Sequence, residues 1–190
     1  MSYQEYWSQM YEQNERMNSM TTFYWNQYSA IDSWQFWVVA ALLVLPLVLL
    51  YFKVDRSKIL LLFFFAYTVH ILWTYIDIVL ERYNFFVHTY FIAPIFPHAL
   101  NMTASVLPAV FLLLYQYCLN HNKNFFLYTI ILSALFSFIL VPLEMYLGLV
   151  KLGKGMQLYH VFVIDVAIAY AAYLLTTFVR RLTKTSSEIT

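Results

Sequence analysis

The sequence predicts an all-α polytopic transmembrane bundle of five spanning helices, preceded by an N-terminal segment outside the bundle. Three observations carry this. Hydrophobic residues make up 62% of the 190-residue chain and charged residues 11%, against roughly 45–50% and 25% in soluble domains. A chain of this length has too little interior to hide so much apolar surface. The apolar residues also fall into long runs nearly free of charge, each close to the about 20 residues that cross a bilayer as helix. These runs are continuous rather than alternating, which argues against a closed barrel.

The segment 1–32 is read as extracytoplasmic. It carries Glu5, Glu12, Glu15 and Asp32 against Arg16 and lacks the basic start, apolar core and cleavage site of a signal peptide. Tyr6, Met10, Met17, Tyr24 and Tyr28 recur near helical spacing, as in a helix lying on the outer leaflet. A partly disordered, Gln-rich lead-in is the other reading. Span one occupies the 20 uncharged residues between Asp32 and Lys53, with Trp34 and Trp37 at its interface. Span two takes the 18 between Lys58 and Asp77. Pro94 and Pro97 mark Tyr83–Pro97 as a loop, leaving His98–Leu119 as span three. Span four fills the 20 residues between Lys123 and Glu144. Span five runs from Gly155 to Val179 with Asp165 as its one charge. Pro46 and Pro108 are expected to kink their helices, and Pro142 to help stop span four. The bundle thus covers 33–182, with a short cytoplasmic tail at 183–190.

Basic loops stay in the cytoplasm. Lys53, Arg56, Lys58, Lys123, Arg180, Arg181 and Lys184 share one side, and Arg16, Arg82, Lys151 and Lys154 the other. Seven against four places the N-terminus outside and the C-terminus in the cytoplasm of a cell membrane.

At about 1.5 Å per residue, most polar groups of the spans then share the outer half of the bilayer. His70, Thr74, Asp77 and Glu81 form one helical stripe in span two. His98, Asn101, Ser105 and Pro108 form another in span three, and Ser133, Ser137 and Glu144 a third in span four. In span five, Asp165 shares its face with Ala169, Ala172 and Thr176, small enough for close packing. The candidate polar cluster is therefore His70, Asp77, His98, Asn101, Ser105, Glu144, His160 and Asp165. His160 lies about 140° around the helix from Asp165, so one rigid helix cannot aim both at one point. Bland readings stand beside this one. Asp77, Glu81 and Glu144 lie near an interface, where water, Arg82 or Lys151 would satisfy them. His70 serves either as a neutral hydrogen-bonding residue or as a ligand or proton relay. Asp165 is deepest, and it is either protonated or paired, though no Lys or Arg lies in the spans to pair with it.

Nucleotide, zinc-protease, redox and serine-hydrolase motifs are absent from the sequence. No cofactor is expected, and the histidine spacing specifies no metal. Cys118 is alone and cannot form an internal disulfide. A net charge of +1 gives no basic face for nucleic acid. The expected partners are the lipid bilayer and a second copy or another membrane protein.

Several local stretches carry a resemblance: Trp34-Gln-Phe-Trp37, Lys53-Val-Asp-Arg56, Ile76-Asp77-Ile78, Ile92-Ala-Pro-Ile-Phe-Pro97, Ser105-Val-Leu-Pro-Ala109 and Leu114-Tyr-Gln-Tyr117. Over about residues 34–180 the chain resembles an uncharacterised family of small multi-spanning membrane proteins from spore-forming Bacillota. Members typically place an acid immediately before the proline of span four, where this chain has Val141, and a tryptophan near the start of the last span, where it has Gly155 and Met156. The resemblance implies class and host type, and no activity. Asp77, Tyr83-Asn-Phe85 and Pro142-Leu-Glu144 also resemble, more faintly, the short membrane-bound lycopene cyclases, with Met145 in place of their second acid.

Three functional readings follow. The first is a small structural or accessory membrane subunit. The second is an outward-facing binding or transport module for a small solute, metal or proton. The third is an intramembrane acid–base enzyme acting on an apolar substrate.

Overall fold

The computed structural model describes residues 1–95 and 97–187, with side chains through Leu182. Five helical segments are long and apolar enough to cross a membrane: Trp34–Lys53, Arg56–Arg82, Met102–His121, Phe125–Tyr146 and Leu158–Leu182. The chain has the all-α architecture of a multi-pass membrane protein.

Helix α1 spans Tyr3–Tyr24, opened by a reciprocal capping box between Ser2 and Glu5. It runs into one widened π turn, Trp25–Ser29. The lead-in is therefore helical, and α1 buries none of its residues. Span one is α2, Trp34–Lys53, whose Ser33 Oγ accepts from Phe36 N at 3.3 Å. Pro46 sits inside it without ending it. Span two is a short turn, Arg56–Lys58, continuing into α3, Ile59–Arg82. It outlasts the expected end at Asp77 and carries Glu81 in its last turn.

Spans three and four share a device. In each, a π turn precedes a proline: Met102–Val106 before Pro108 at the start of α4, Leu107–His121, and Phe136–Leu140 before Pro142. Proline donates no hydrogen bond to the carbonyl four residues back, and its ring crowds that carbonyl. Widening the preceding turn accommodates both effects without breaking the span. Span four is thus α5, Phe125–Leu135, the π turn, and α6, Val141–Tyr146. Pro142 does not stop it. The stop is Gly148 at φ +74°, where Leu149 N reaches back to Glu144 O at 2.8 Å, as in a left-handed helix cap. Span three opens at Met102, so His98 lies in the turn before it rather than within it.

The expected loop Tyr83–Pro97 is partly a strand. β1, Phe86–His88, pairs antiparallel with β2, Val150–Leu152, in the register Phe86↔Leu152 and His88↔Val150. This ribbon lies across one end of the bundle and is called the lid. Gly153 lets it close, because a Cβ there would run into Asn84 O. Span five belongs to α7, Leu158–Ser187. The expected tail at 183–190 therefore starts as a continuation of this helix, and its last three residues lie outside those described.

Within the bundle α3 packs on α4 and α7, α5 on α7, and α2 on the π turn of span three. Ala169, Ala172 and Thr176 are buried as their spacing predicts. The half away from the lid is filled by aromatics: Phe65 and Tyr115 rings lie 4.6 Å apart, and Phe125 stacks on Tyr173 at 4.7 Å. The half toward the lid is where the polar groups collect.

Candidate functional site

Beneath the lid a cavity of about 50 Å³ is walled mainly by apolar side chains such as Leu80, Phe86 and Met102. Three carboxylates reach it from three different spans: Asp77 from span two, Glu144 from span four and Asp165 from span five. Their residues are only 3%, 4% and 1% exposed, so interfacial solvation does not explain them. Both π turns line the same space, through Met102 and Thr103 and through Phe136, Ser137 and Leu140. Neither Arg82 nor Lys151 lines it.

The partner of Asp77 comes from the lid. His88 Nε2 lies 3.0 Å from Asp77 Oδ1, and both side chains are buried. Burial alone would disfavour the imidazolium. The charges of Asp77, Glu81 and Glu144 and the Asp77 hydrogen bond outweigh it, holding His88 above the ordinary imidazole range. One turn on, Glu81 Oε1 lies 2.6 Å from His98 Nδ1. Phe91 of the lid loop stacks on the His98 ring with centroids 4.0 Å apart. The two acid–histidine pairs are thus adjacent, and both histidines are covered by lid residues or belong to them.

Asp165 is held from span two. Trp73 Nε1 donates to Asp165 Oδ1 at 3.0 Å. Ser133 lies beside this carboxyl without meeting hydrogen-bond geometry. Asp165 Oδ2 and Asp77 Oδ2 are buried with no hydrogen-bond partner among the described residues. The same holds for Glu81 Oε2, Asn101 Oδ1, Ser105 Oγ and Ser137 Oγ. A buried oxygen left without a partner costs roughly 1–3 kcal/mol, so these groups make the bundle interior near the lid polar and able to accept further hydrogen bonds.

The lid is anchored by the N-terminal segment. Ser29 Oγ donates to Phe91 O at 3.2 Å and accepts from Phe91 N at 3.0 Å. Trp25 Nε1 also donates to Phe91 O, and Tyr24 Oη to Thr89 O, each at 3.0 Å. Thr89 Oγ1 donates to Gly148 O across the ribbon.

Of the eight residues singled out from sequence, Asp77, Glu144 and Asp165 meet in the cavity wall. His98 borders it through its pair with Glu81, and Asn101 and Ser105 are buried on the π-turn face of span three. His70 and His160 lie apart from it. His70 Nδ1 meets Thr103 O at 2.8 Å, tying spans two and three together. His160 Nδ1 accepts from Gln157 N at 3.0 Å, closing the first turn of α7. The sequence reading missed Trp73 and His88. Trp73 sits four residues before Asp77 on the same stripe, a signal that was available. His88 had none, because its position depends on strand pairing with residues more than 60 positions away.

No group of three or more His, Cys, Asp or Glu among the described residues is arranged to hold a metal ion. Fold and site define a multi-pass helical bundle with a lidded acid–histidine chamber. Comparison with protein-family models, with curated proteins and with solved structures gives no match.

Proposed function

We propose that the chain is a proton-binding module of a bacterial cell membrane, with its lid and N-terminus facing outward. The observation that carries this is the charge balance of the chamber. Asp77, Glu81, Glu144 and Asp165 supply four carboxylates, and His88 and His98 two imidazoles. Fully ionised, four minus two leaves two buried negative charges, with no Lys or Arg in the cavity wall. Burying uncompensated charge is prohibitive, so protons or a small cation make up the difference. Protons fit best, since no metal-holding cluster is present among the described residues and the acids are spread over three helices. Ionisable groups held inside a membrane bundle commonly serve proton relays. A bacterial host of the spore-forming Bacillota agrees with the local resemblances in the sequence, and the distribution of Lys and Arg supports the outward lid.

The enzyme reading is weaker. A cavity of about 50 Å³ is far below the roughly 300–1,000 Å³ of ordinary ligand pockets. The accessory-subunit reading has one observation of its own. Helix α1 is 22 residues long and touches the lid through Tyr24 at its end, with none of its residues fully buried, which suits packing on a lipid surface, a second copy or another membrane protein.

Infrared difference spectra of the protein in liposomes, taken across a pH step, test the proposal. A carboxylic-acid band that changes with pH and is lost in Glu144→Gln or Asp165→Asn is expected. Spectra with no carboxylic-acid band responding to pH would overturn the proton-binding reading and leave the accessory subunit.

A further inference from the structure

A second feature lies at the opposite end of the bundle and depends only on the multi-pass architecture, not on the chamber. There the start of span two, the end of span three and the end of span five converge around a groove of about 480 Å³. Two cations from distant parts of the chain line it, Lys58 from the turn before α3 and Arg180 from α7. Ser57 joins them at the rim, and Leu60, Leu61 and Leu119 form the apolar part. Leu60 is 85% exposed, so the apolar side opens where lipid chains would lie.

The Lys58 side of the rim is held by a set of specific bonds. Gln116 of α4 accepts from Asp55 N at 2.7 Å through Oε1 and donates to Lys53 O at 2.9 Å through Nε2. These two bonds clamp the span one–span two turn to the end of span three. Lys58 Nζ donates to Asn120 Oδ1, which ties the ammonium to the end of span three beside the groove. Its acidic neighbour Asp55 stands 3.5 Å away. That carboxylate is itself engaged by Ser57, accepting from its N at 3.0 Å and its Oγ at 2.6 Å. The Ser57 bonds, ahead of Lys58, hold the exposed Asp55 carboxyl below its usual range.

We propose that this groove binds an anionic phospholipid, its phosphodiester between Lys58 and Arg180 and one acyl chain along Leu60, Leu61 and Leu119. A guanidinium and an ammonium across a cleft suit a phosphate, and basic pockets between spanning helices take anionic headgroups in this way. A free phosphate would find the same rim but would leave the apolar floor uncovered, which favours the lipid as the source.

Native mass spectrometry of the full chain in detergent, with phosphatidylglycerol or phosphatidylcholine added, tests this. Phosphatidylglycerol should be retained over phosphatidylcholine, with a loss of about fivefold for each cation removed in Lys58→Gln and Arg180→Gln. The charge-preserving pair Lys58→Arg with Arg180→Lys should retain the lipid, and Lys123→Gln, at the same end but outside the groove, should change nothing. Equal retention of the two lipids, or unchanged retention in the double Gln variant, would overturn the proposal. Displacement of the lipid by an excess of inorganic phosphate would overturn the lipid assignment in favour of a bare anion site.

Discussion

The indole N–H of Trp73 donates to Asp165 Oδ1 at 3.0 Å, joining spans two and five across 92 positions of sequence. This bond meets the most buried carboxylate among the described residues, 1% exposed, from a residue type usually assigned to interfaces or apolar packing. Asp165 Oδ2 has no partner among the described residues, while Trp73 holds the other oxygen of a carboxyl that lines the cavity.

Trp73→Phe keeps most of the ring's packing and removes the donor. The variant should lose about 1–3 kcal/mol, the usual penalty for stranding a buried acceptor, read as a lower unfolding temperature in detergent. Asp165→Asn retains an acceptor for the indole and should lose less. In the double variant the effects should fall short of their sum, because the two residues share one bond. Additive losses would show that the contact contributes nothing.

The pairing of His88 with Asp77 predicts that the lid responds to pH. His88 sits above its ordinary value of 6.5 in the folded chain. A raised folded value means the pair stabilises the fold fully below about 6.5 and loses that contribution as pH rises through the folded value. The unfolding temperature of the wild type should therefore decline on the alkaline side, while His88→Gln should start lower and show a flatter dependence. Parallel profiles for the two proteins would remove His88 as the titrating group.

What was legible in the sequence follows from what is local. The five spans and the buried faces through Asp165, Ala169, Ala172 and Thr176 depend on helical periodicity, which any single helix records. The grouping of Asp77, Glu144 and Asp165 as members of one candidate polar cluster also followed from the stripes. The lid did not. Phe86–His88 is too short to announce a strand, and its partner Val150–Leu152 lies beyond two further spans. The acids near the helix ends looked solvated because nothing in Tyr83–Pro97 signals a cover. The π turns were invisible for a related reason: Pro108 and Pro142 mark the place of a distortion, but neighbouring helices decide its form.

Ser29 is the joint between the N-terminal segment and the lid. It is fully buried and exchanges two hydrogen bonds with the backbone of Phe91. Ser29→Ala leaves Phe91 N without its partner inside the protein, an expected cost of about 1–3 kcal/mol. Because Phe91 covers His98, the loss should appear locally as faster amide exchange at Phe91 and its neighbours. Exchange unchanged at Phe91 and faster only in the bundle would place the anchoring elsewhere.

On the proposed proton-binding reading, the direction of the chamber sets the compartment it would exchange protons with, and the lid offers a way to read it. Lys154 is exposed at the turn after β2, and Tyr90 is half-buried in the lid loop. The buried thiol of Cys118 lies toward the other end of span three. With Cys118 replaced by Ala, a cysteine at Lys154 should react with an impermeant maleimide added to intact cells. One at Tyr90 should react more slowly, since Tyr24 and Phe91 crowd that loop. A cysteine at Lys123, beyond the opposite end of span three, should react only after permeabilisation. The reverse pattern would turn the lid to the cytoplasm. It would then set the Lys58–Arg180 groove in the outer leaflet, against the seven-to-four bias of Lys and Arg.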